Sequence, residues 1–357
     1  MTGDPSILSR KPKGAFVVCS DANWLWQSAF VLQQAIDSDP AGVLDYYYFT
    51  TFDTATSPLA HLLDPRVRVV NAQEQLDQIQ YIRDSHVPKA TFLRLVALDQ
   101  LSANYDQIVY ADGDVFLSWG SWTDLFGLPG HSRAVAAVLG RSTWFNHKGA
   151  RYGRKYRKAL CARMRDRYLN AGVLLVNSGR FRDEGISAKS IAFFLNHPDL
   201  CQQSDQSAIN AVLEGDWDEL SPSWNWQAST FNYPVLSRLG PRVVHFTGPI
   251  KPWNDGNGLY RPALAAMARF LDDRGALALR AEVEARCTRN EAPTRQRIRF
   301  QSKWRDDGET KFAMIRRYLD RQDFIDVEAG LAPFGDTWSG LAAAPAPAPD
   351  AGRHGEA

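Results

Sequence analysis

The chain has 357 residues, which is enough for one large domain with an appendage or for two domains. Hydrophobic residues make up 45% and charged residues 23%, a composition that is ordinary for a globular protein with a sizeable core. The formal net charge of +1 argues against a general nucleic-acid-binding protein.

Membrane and export signals are weak in this sequence. No apolar run approaches the ~20 residues that cross a bilayer, and residues 1–20 contain no apolar segment of signal-peptide length. The four cysteines are widely spaced and include no CxxC pair. These features predict a cytoplasmic protein with reduced thiols.

Short apolar runs alternate with helical patterns through the first half of the chain. Residues 15–20, AFVVCS, predict a buried strand, and residues 24–38 carry apolar side chains at near-helical spacing. A helix is predicted over 88–101, because proline suits the first helical turn. Further strands are predicted at 43–52, 66–70, 106–111 and 134–139.

The second half continues the alternation. It predicts strands at 172–177 and 242–246, and helices at 181–195 and 205–213. Strands that alternate with helices indicate an α/β domain with a mainly parallel sheet.

After residue 261 the composition changes. An Ala-, Arg- and Leu-rich helical pattern extends to about residue 289, and residues 341–349 read LAAAPAPAP. We therefore predict an α/β domain over 1–270, a helical C-terminal extension over 271–335 and a disordered tail over 336–357.

Two carboxylates follow the strand predicted at 106–111. In the run 110–115, YADGDV, Asp112 and Asp114 project to the same side of an extended backbone, and Gly113 between them permits close backbone approach. Strand ends at the carboxyl edge of an open α/β sheet bind ligands, and two acids there suit a divalent cation that holds a pyrophosphate. An Asp-X-Asp triplet alone is a weak signal, because such triplets also occur in exposed turns.

The surroundings of this triplet strengthen it. The segments that accompany it in order are 20–24 (SDANW), 89–95 (KATFLRL), 170–172 (NAG), 205–210 (DQSAIN), 224–225 (WN) and 245–253 (HFTGPIKPW). Over about residues 14–255 this ordered set resembles glycosyltransferase family 8, which includes bacterial lipopolysaccharide galactosyl- and glucosyltransferases and the glycogenins. The resemblance implies a GT-A fold and a metal-dependent, retaining transfer of glucose or galactose from a UDP-sugar to a saccharide or lipid-linked glycan.

The resemblance also implies a metal site. Asp112 and Asp114 match the family's metal-binding carboxylates, and His245 matches its third protein ligand. The imidazole favours Mn²⁺ over the alternative, Mg²⁺, because nitrogen suits the later metal better. Lys251 matches the lysine that contacts the diphosphate, and Gly248 lets its loop approach that group.

The same resemblance assigns the donor nucleoside and sugar. Asp21 and Asn23 would contact uridine, and Trp24 would stack on it where the family usually has tyrosine. Arg94 matches an arginine that reaches the donor diphosphate or sugar; a surface salt bridge is its structural alternative.

Three further residues match positions around the donor sugar: Asn170, Asp205 and Gln206. Asp205 and Gln206 are the candidate catalytic residues, which would stabilise the cationic transition state or form a covalent intermediate. Asp205 could equally be only the N-cap of a helix over 206–213.

Two other functions remain open at this stage. A nucleotidyltransferase would also use paired carboxylates, but the sequence has no glycine-rich phosphate loop near its start. A non-catalytic carbohydrate-binding protein on the same fold would be indicated by loss of Asp112, Asp114 or His245, and all three are present.

Two segments are strongly basic. Residues 146–168 hold nine Lys and Arg against one acid, and residues 274–321 hold thirteen against seven. They indicate either solvated helical faces or contact with an anionic acceptor or a membrane surface. The location expected on this basis is cytoplasmic, with peripheral contact to the inner membrane face.

Overall fold

A computed structural model describes residues 14–79, 89–144, 158–160, 167–229, 232–290, 310, 312–321 and 323–328. The predicted tail at 336–357, Pro88 and most of the basic segment 146–168 lie outside the described residues. Within the described residues, none of the helices is both long enough and apolar enough to cross a bilayer.

The strands of the described residues form two sheets. They are β1 Gly14–Cys19, β2 Leu44–Thr50, β3 Val67–Asn71, β4 Gln107–Ala111, β5 Val115–Leu117, β6 Val135–Leu139, β7 Leu169–Asn177, β8 Asp218–Glu219, β9 Trp226–Gln227 and β10 Val243–His245. The large sheet has the order β3-β2-β1-β4-β7-β6-β8, and β7 runs antiparallel to both of its neighbours while the other pairs are parallel. The predicted α/β architecture with a mainly parallel sheet is confirmed.

The small sheet has the order β5-β10-β9, and its pairing fixes the position of His245 at the end of β10. β10 pairs antiparallel with β5, and the register places His245 opposite Val115. Because β5 begins directly after the turn that carries Asp112 and Asp114, this pairing brings the imidazole next to both carboxylates. The sequence patterns missed β5, β8 and β9, which are too short to show a periodicity.

The α-helices of the described residues flank these sheets. They are α1 Leu25–Asp37, α2 Gln73–Gln78, α3 Leu93–Ser102, α4 Arg141–Trp144, α5 Ser178–Asp183, α6 Ile186–Asn196, α7 Ser204–Leu213, α8 Tyr233–Leu239, α9 Arg261–Asp273, α10 Leu277–Arg289, α11 over 312–319 and α12 Ile325–Glu328.

Two predicted helices are each divided by a glycine. The helix expected over 181–195 is α5 followed by α6, with Gly185 at φ +63° between them. The helix expected over 261–289 is α9 followed by α10, with Gly275 at φ +69° in the connection. Both glycines adopt the left-handed conformation that ends a helix at low steric cost, so one continuous helix was the wrong prediction.

Packing around β1 and β4 holds the edge of the sheet on which the site lies. α1 packs against β1, β2 and β5, and α3 packs against β1 and β4. In α3 the buried residues include Leu93, Arg94 and Leu95, so consecutive side chains around the helix are enclosed. The start of α3 is therefore a rigid position from which Arg94 projects.

The C-terminal segment is attached to the edge strand β8. Glu219 is buried and accepts hydrogen bonds from Tyr318 Oη at 2.7 Å and from both terminal nitrogens of Arg321 at 3.0 Å. The buried Asp326 accepts from the backbone N–H of Ser221 at 2.8 Å. The described residues after 270 are mostly helical, but the division into domains stays a prediction.

Candidate active site

The ends of β4 and β10 and the starts of β5 and β7 meet at one edge of the large sheet. Asp112 and Asp114 occupy the turn between β4 and β5, where the backbone N–H of Asp112 donates to Gly172 O of β7 at 2.8 Å. The backbone N–H of Phe246, which follows β10, donates to Asp114 O at 3.0 Å. Backbone bonds from β7 and β10 therefore fix the turn that carries the carboxylates.

Asp112, Asp114 and His245 form a cluster with the geometry of a cation site. His245 Nε2 lies 3.2 Å from Asp114 Oδ1 and 3.6 Å from Asp112 Oδ2. One donor atom from each residue lies within 4.8 Å of the others. Ligand atoms that share one octahedral ion at ~2.1 Å lie about 3 Å apart, so this set fits a divalent cation. Two carboxylate oxygens with one imidazole nitrogen suit Mn²⁺ better than Mg²⁺.

Arg94 connects two acids of the site. Its buried guanidinium donates to Asp205 Oδ2 at 2.5 Å and to Asp112 Oδ1 at 2.6 Å. Tyr110 Oη also donates to Asp112 Oδ1 at 2.6 Å, while Arg94 lies 4.4 Å from the centre of the Tyr110 ring. These donors occupy one oxygen of Asp112 and leave Oδ2 on the side of His245. Arg94 is thus part of a buried ion-pair network and not a surface salt bridge.

Lys251 holds the second carboxylate. Its ammonium donates to Asp114 Oδ2 at 2.6 Å and to the backbone carbonyl of Phe246. Burial favours a higher pKa for Asp114, but the neighbouring His245 and Lys251 outweigh it and hold the pKa well below the ordinary value. Asp114 is therefore ionised and available as a ligand throughout the neutral range.

Asp205 differs from Asp114 in its surroundings. Burial, opposed by Arg94 and aided by Asp112, raises the pKa of Asp205 to about 6. Helix α7 begins at Ser204, so Asp205 lies inside its first turn and the capping alternative is wrong. Its carboxylate instead faces Arg94 in the interior.

The charges of the site nearly balance. The carboxylates of Asp112, Asp114 and Asp205 are paired with two cations, Arg94 and Lys251, so these five side chains together carry one formal negative charge. A divalent cation would change that to one positive charge, and an anionic ligand such as a diphosphate would then be attracted to it.

Amide side chains surround His245 on the side away from the carboxylates. His245 Nδ1 lies 2.9 Å from Asn225 Oδ1, and Asn225 Nδ2 donates to Asn170 Oδ1 at 2.8 Å. Gln206 Oε1 accepts from Asn170 Nδ2 at 3.2 Å and from the N–H of Ala171 at 3.0 Å. Asn170 and Gln206 are therefore joined to the cluster through Asn225.

A cavity of about 300 Å³ opens beside the cluster. Its lining includes Asp21 and Trp24 of the turn after β1 together with Arg94, Gly113 and Asp205. The residues of this lining to which the sequence analysis assigns no individual role are Cys19, Ser20, Ala90, Thr91 and Tyr110. The cavity thus connects the turn after β1 to the carboxylates.

Trp24 and Asn23 take different positions in that turn. Trp24 is half-buried and meets Trp253 edge-on, with ring centres 5.5 Å apart, and Lys251 Nζ lies 5.9 Å from its ring centre. Asn23 is exposed, and its backbone N–H donates to Asp21 Oδ1 at 3.0 Å. Asn23 does not belong to the lining of the cavity, although it is part of the same turn.

The three glycines of the site act in different ways. A Cβ on Gly113 would lie 2.9 Å from Ser28 Oγ, so this glycine permits the approach of α1. A Cβ on Gly248 would meet Ser229 at an ordinary 3.8 Å. A Cβ on Gly172 would lie 2.1 Å from His245 Cε1, so the imidazole position requires glycine there.

Sequence reasoning had not assigned roles to Gly172, Asn225 or Tyr110. Gly172 and Asn225 belong to segments that the sequence had singled out, but their contacts with His245 span 73 and 20 positions and no spacing shows them. Tyr110 lies on β4, two positions before Asp112, and side chains two positions apart in a strand project to the same side. That alternation was the signal by which the sequence could have placed Tyr110 beside Asp112.

The chain is similar to known glycosyltransferases in sequence and in fold. The model of Glycosyl transferase family 8 matches residues 32–257, more than half of the chain. General stress protein A of Bacillus subtilis is 28% identical over 190 residues, which are 48% of this chain and 62% of that protein. Lipopolysaccharide 1,3-galactosyltransferase of Salmonella typhimurium is 24% identical over 255 residues, which are 66% of this chain and 71% of that protein.

A third relative and two solved structures extend the comparison. Lipopolysaccharide glucosyltransferase WaaO of Escherichia coli is 27% identical over 177 residues, or 46% of this chain and 49% of that protein. The galactosyltransferase LgtC, in complex with donor and acceptor sugar analogs, has a TM-score of 0.55 at 20% identity, covering 73% of this chain and 95% of its own. The apo structure of the bifunctional glycosyltransferase WbbM has a TM-score of 0.57 at 18% identity, covering 78% and 52%. These structural likenesses show the fold, and the expected GT-A architecture is confirmed.

The contact between Gly172 and His245 yields a prediction. Gly172→Ala should displace the imidazole from the two carboxylates, because the new methyl group overlaps the ring. We expect Mn²⁺ affinity to fall by about 10-fold or more, as for losses around a metal-ligating histidine. Electron paramagnetic resonance of free Mn²⁺ measures this affinity.

The matched control is Gly179→Ala in α5, where the nearest described atom to the new Cβ is Asn177 Oδ1 at 3.7 Å. This variant should bind Mn²⁺ as the unmodified protein does. Equal affinities for both variants and the parent would show that the ring does not need the space above Gly172.

Proposed function

This chain belongs to Glycosyl transferase family 8, and on that premise we propose that it is a metal-dependent, retaining hexosyltransferase. It transfers glucose or galactose from a UDP-sugar to a saccharide or lipid-linked glycan acceptor. The sequence-based prediction of a family 8 glycosyltransferase is confirmed by the family match, whereas the donor, the acceptor and the metal belong to the proposal. The names of the relatives, a galactosyltransferase and a glucosyltransferase of lipopolysaccharide, support a hexose and a glycan acceptor.

One observation carries the proposal. Asp112, Asp114 and His245 converge at the edge of the sheet, and the two carboxylates line a cavity that extends to Asp21 and Trp24. A cation site and an aromatic ring that border one cavity suit the diphosphate and the base of a nucleotide.

The donor lies along this edge in the proposed arrangement. Asp21, Asn23 and Trp24 hold the uridine beyond the end of β1. The diphosphate lies near Gly113 and the loop that carries Gly248 and Lys251, with Arg94 behind it. The hexose lies toward Asn170 in β7 and toward Asp205 and Gln206 in α7.

The bond that breaks joins the anomeric carbon to the β-phosphate oxygen of UDP. Negative charge builds on the departing oxygen, and Lys251 is placed to stabilise it. A bound Mn²⁺, held by Asp112, Asp114 and His245, would act as a Lewis acid toward the same phosphate. The acceptor hydroxyl adds to the same face, and its proton passes to the departing phosphate oxygen.

The two candidate catalytic residues support this same-face reaction. An amide is a poor nucleophile, and the oxygen of Gln206 already accepts two hydrogen bonds. Asp205 Oδ2 is bound to Arg94 at 2.5 Å. We therefore assign both residues to orientation of the sugar and stabilisation of its positive charge, with no covalent intermediate.

The acceptor approaches from the side of β6 in this proposal. β1, β4, β7 and β6 are consecutive neighbours in the sheet, so β6 lies beyond the positions assigned to uridine, diphosphate and hexose. Arg141 directly follows that strand region, and its guanidinium lies 3.4 Å from both Gln227 O and Thr247 Oγ1. Burial lowers the pKa of Arg141, and among the described residues no carboxylate forms an ion pair with it. A phosphate or carboxylate on the acceptor would be a suitable partner.

The basic segments extend this idea. Residues 146–168 follow Arg141 in sequence and carry nine Lys and Arg. We propose that this segment, or the segment 274–321, favours an anionic acceptor or the anionic inner face of a membrane, which also gives the proposed cytoplasmic, peripheral location.

Metal dependence is the first prediction from this function. Asp114→Asn or His245→Ala should lower turnover by a factor on the order of 10²–10³, as for loss of a main transition-state stabiliser. EDTA should abolish activity, and Mn²⁺ should restore it. The assay incubates the protein with a panel of nucleotide sugars and measures the released nucleotide. Asp183→Asn, whose side chain is 76% exposed, is the control that should retain activity.

Full activity in EDTA would contradict the metal-dependent mechanism. The products also separate the alternatives. A nucleotidyltransferase would release no nucleoside diphosphate from these donors, and would need added pyrophosphate to convert them to a nucleoside triphosphate and a sugar phosphate. A binding protein would leave the donors unchanged.

Nucleotide preference is the next prediction. UDP with Mn²⁺ should raise the melting temperature more than GDP or CDP does, because a ligand that binds only the native state stabilises it. Trp24→Ala should reduce this shift, since the ring lines the cavity. Thermal shift with and without Mn²⁺ is the measurement. A larger response to GDP or CDP would assign the donor to another nucleotide class.

The basic segments also predict contact with an anionic membrane surface. Each Lys or Arg near an anionic surface is worth about 1 kcal/mol, so a few from either basic segment suffice for binding. Co-sedimentation with anionic vesicles should exceed that with neutral vesicles and should fall as the Debye length shortens from ~10 Å at 0.1 M salt to ~3 Å at 1 M. Equal, salt-independent recovery with both vesicle types would identify the segments as solvated faces.

A further inference from the structure

A chain of side-chain amides connects two backbone N–H groups to the imidazole of His245. The backbone N–H of Ala171 donates to Gln206 Oε1 at 3.0 Å, and the backbone N–H of Gly172 donates to Asn170 Oδ1 at 3.0 Å. A backbone N–H can only donate. The atoms that face these two groups must therefore be the carbonyl oxygens of the amides, which determines how both side chains are turned.

The same reasoning determines the orientation of Asn225. Because Oδ1 of Asn170 faces Gly172 N–H, the NH₂ group of Asn170 points to Gln206 Oε1 at 3.2 Å. Asn170 Oδ1 also accepts from Asn225 Nδ2 at 2.8 Å. The remaining atom of the Asn225 amide, Oδ1, is the one that lies 2.9 Å from His245 Nδ1. An amide oxygen only accepts, so Nδ1 of the imidazole must carry a proton.

We propose that Asn225 is a positioning residue that holds His245 in the Nδ1–H tautomer and thereby presents a lone pair on Nε2 to the metal. The inference rests on the proposed function, since it concerns the metal site of that reaction.

The need for such a device follows from the neighbours of Nε2. Two carboxylates lie 3.2 and 3.6 Å from this nitrogen. Without Asn225, a neutral imidazole would gain most by placing its proton on Nε2 and donating it to Asp114. That tautomer satisfies the carboxylate but has no lone pair on the side of the metal. Asn225 stabilises the opposite tautomer, because its Oδ1 accepts from Nδ1–H. It thereby keeps a lone pair on Nε2, where the carboxylates favour an N–H donor.

Burial strengthens this preference. Asn225 is fully buried and His245 is 5% exposed, so water does not replace the amide oxygen as an acceptor. A hydrogen bond in such a low-dielectric region is stronger than in water, and a buried donor left unpaired is costly. Gly172 adds a steric limit, since the ring edge that carries Nδ1 and Cε1 lies against its Cα.

This series of amide hydrogen bonds also joins the proposed sugar contacts to the proposed metal ligand. Asn170 and Gln206 lie toward the hexose, and Asn225 lies between them and His245. Loss of Asn225 should therefore weaken metal binding in the protein alone, before any donor is added.

The test uses Mn²⁺ binding by the full chain without donor. Asn225→Leu removes both amide groups at similar volume, and Mn²⁺ affinity should fall by about 10–100-fold, as for other partners of metal-ligating histidines. Asn225→Asp keeps an oxygen that accepts from Nδ1–H and should restore most of the affinity. Electron paramagnetic resonance of free Mn²⁺ gives the dissociation constants, and circular dichroism confirms that each variant is folded.

A stability control separates positioning from general damage. Asn177 caps α5 by accepting from Arg180 N–H at 3.3 Å and does not contact His245. Asn177→Ala should lower the free energy of unfolding by about 1 kcal/mol, the usual cost of a lost N-cap, and leave Mn²⁺ affinity unchanged.

A second measurement decides the matter even where Asn225→Leu does not fold. Nitrogen-15 NMR of histidine-labelled protein loaded with diamagnetic Mg²⁺ distinguishes the tautomers, with His245→Ala used to assign the signal. The expected result is a proton on Nδ1 of His245 in the unmodified protein and in Asn225→Asp.

The outcomes are distinct. Unchanged Mn²⁺ affinity in folded Asn225→Leu, an Asn225→Asp variant as weak as Asn225→Leu, or a proton on Nε2 in the unmodified protein would each overturn the inference. If the unmodified protein shows no saturable Mn²⁺ binding, the metal-dependent function itself fails. Normal Mn²⁺-dependent transfer with unaffected binding in Asn225→Leu would leave the function standing and remove only the role of Asn225.

Discussion

The antiparallel pairing of β10 with β5 is the constraint on which the site depends. It brings His245 to within 3.2 Å of Asp114, although 131 positions separate them in the sequence. The two carboxylates repel each other, and a bound cation would relieve that repulsion. The backbone pairing of β10 holds the imidazole beside them as a third potential ligand. Every other element of the site either supports this juxtaposition or borders the cavity next to it.

The charged residues around the cluster solve a second problem, which is how to keep three acids at a partly buried edge. Arg94 and Lys251 each take one oxygen of a cluster carboxylate, so the outer oxygens are bound and the inner ones face His245. Both carboxylates are thereby held in one rotamer before a ligand arrives, which is the preorganisation that electrostatic catalysis needs. The loop that carries Lys251 also contributes Trp253, whose ring contacts Trp24. One loop therefore positions both a charged and an aromatic residue of the proposed donor site.

A network of side-chain amides carries much of this precision. Gln206, Asn170 and Asn225 satisfy one another in sequence, and their orientation is set by backbone N–H groups of β7. Because β7 is the antiparallel strand of the large sheet, its start and not its end reaches the ligand edge. One reversed strand thus supplies both the anchor of the amide chain and Gly172, the position against which the imidazole rests.

The sequence by itself determined the architecture and most of the local chemistry. Alternating apolar runs and helical patterns predicted the mainly parallel α/β sheet, because burial of both faces of a strand leaves a continuous apolar run. Asp112 and Asp114 could be identified because their relation is local, two positions apart at a strand end. His245, Arg94 and Lys251 came from a family resemblance and not from any periodicity.

Only the tertiary structure decided how those residues meet. The two- and three-residue strands β5, β8 and β9 have no pattern of their own, since their conformation is imposed by partners distant in sequence. The breaks at Gly185 and Gly275 were visible as glycines but not as helix ends, because a glycine within a helical pattern is tolerated where packing allows it. The roles of Asn225 and Gly172 depend on ångström-scale distances to His245 across three strands, and long-range contacts of that kind arise from packing, which a linear sequence does not display.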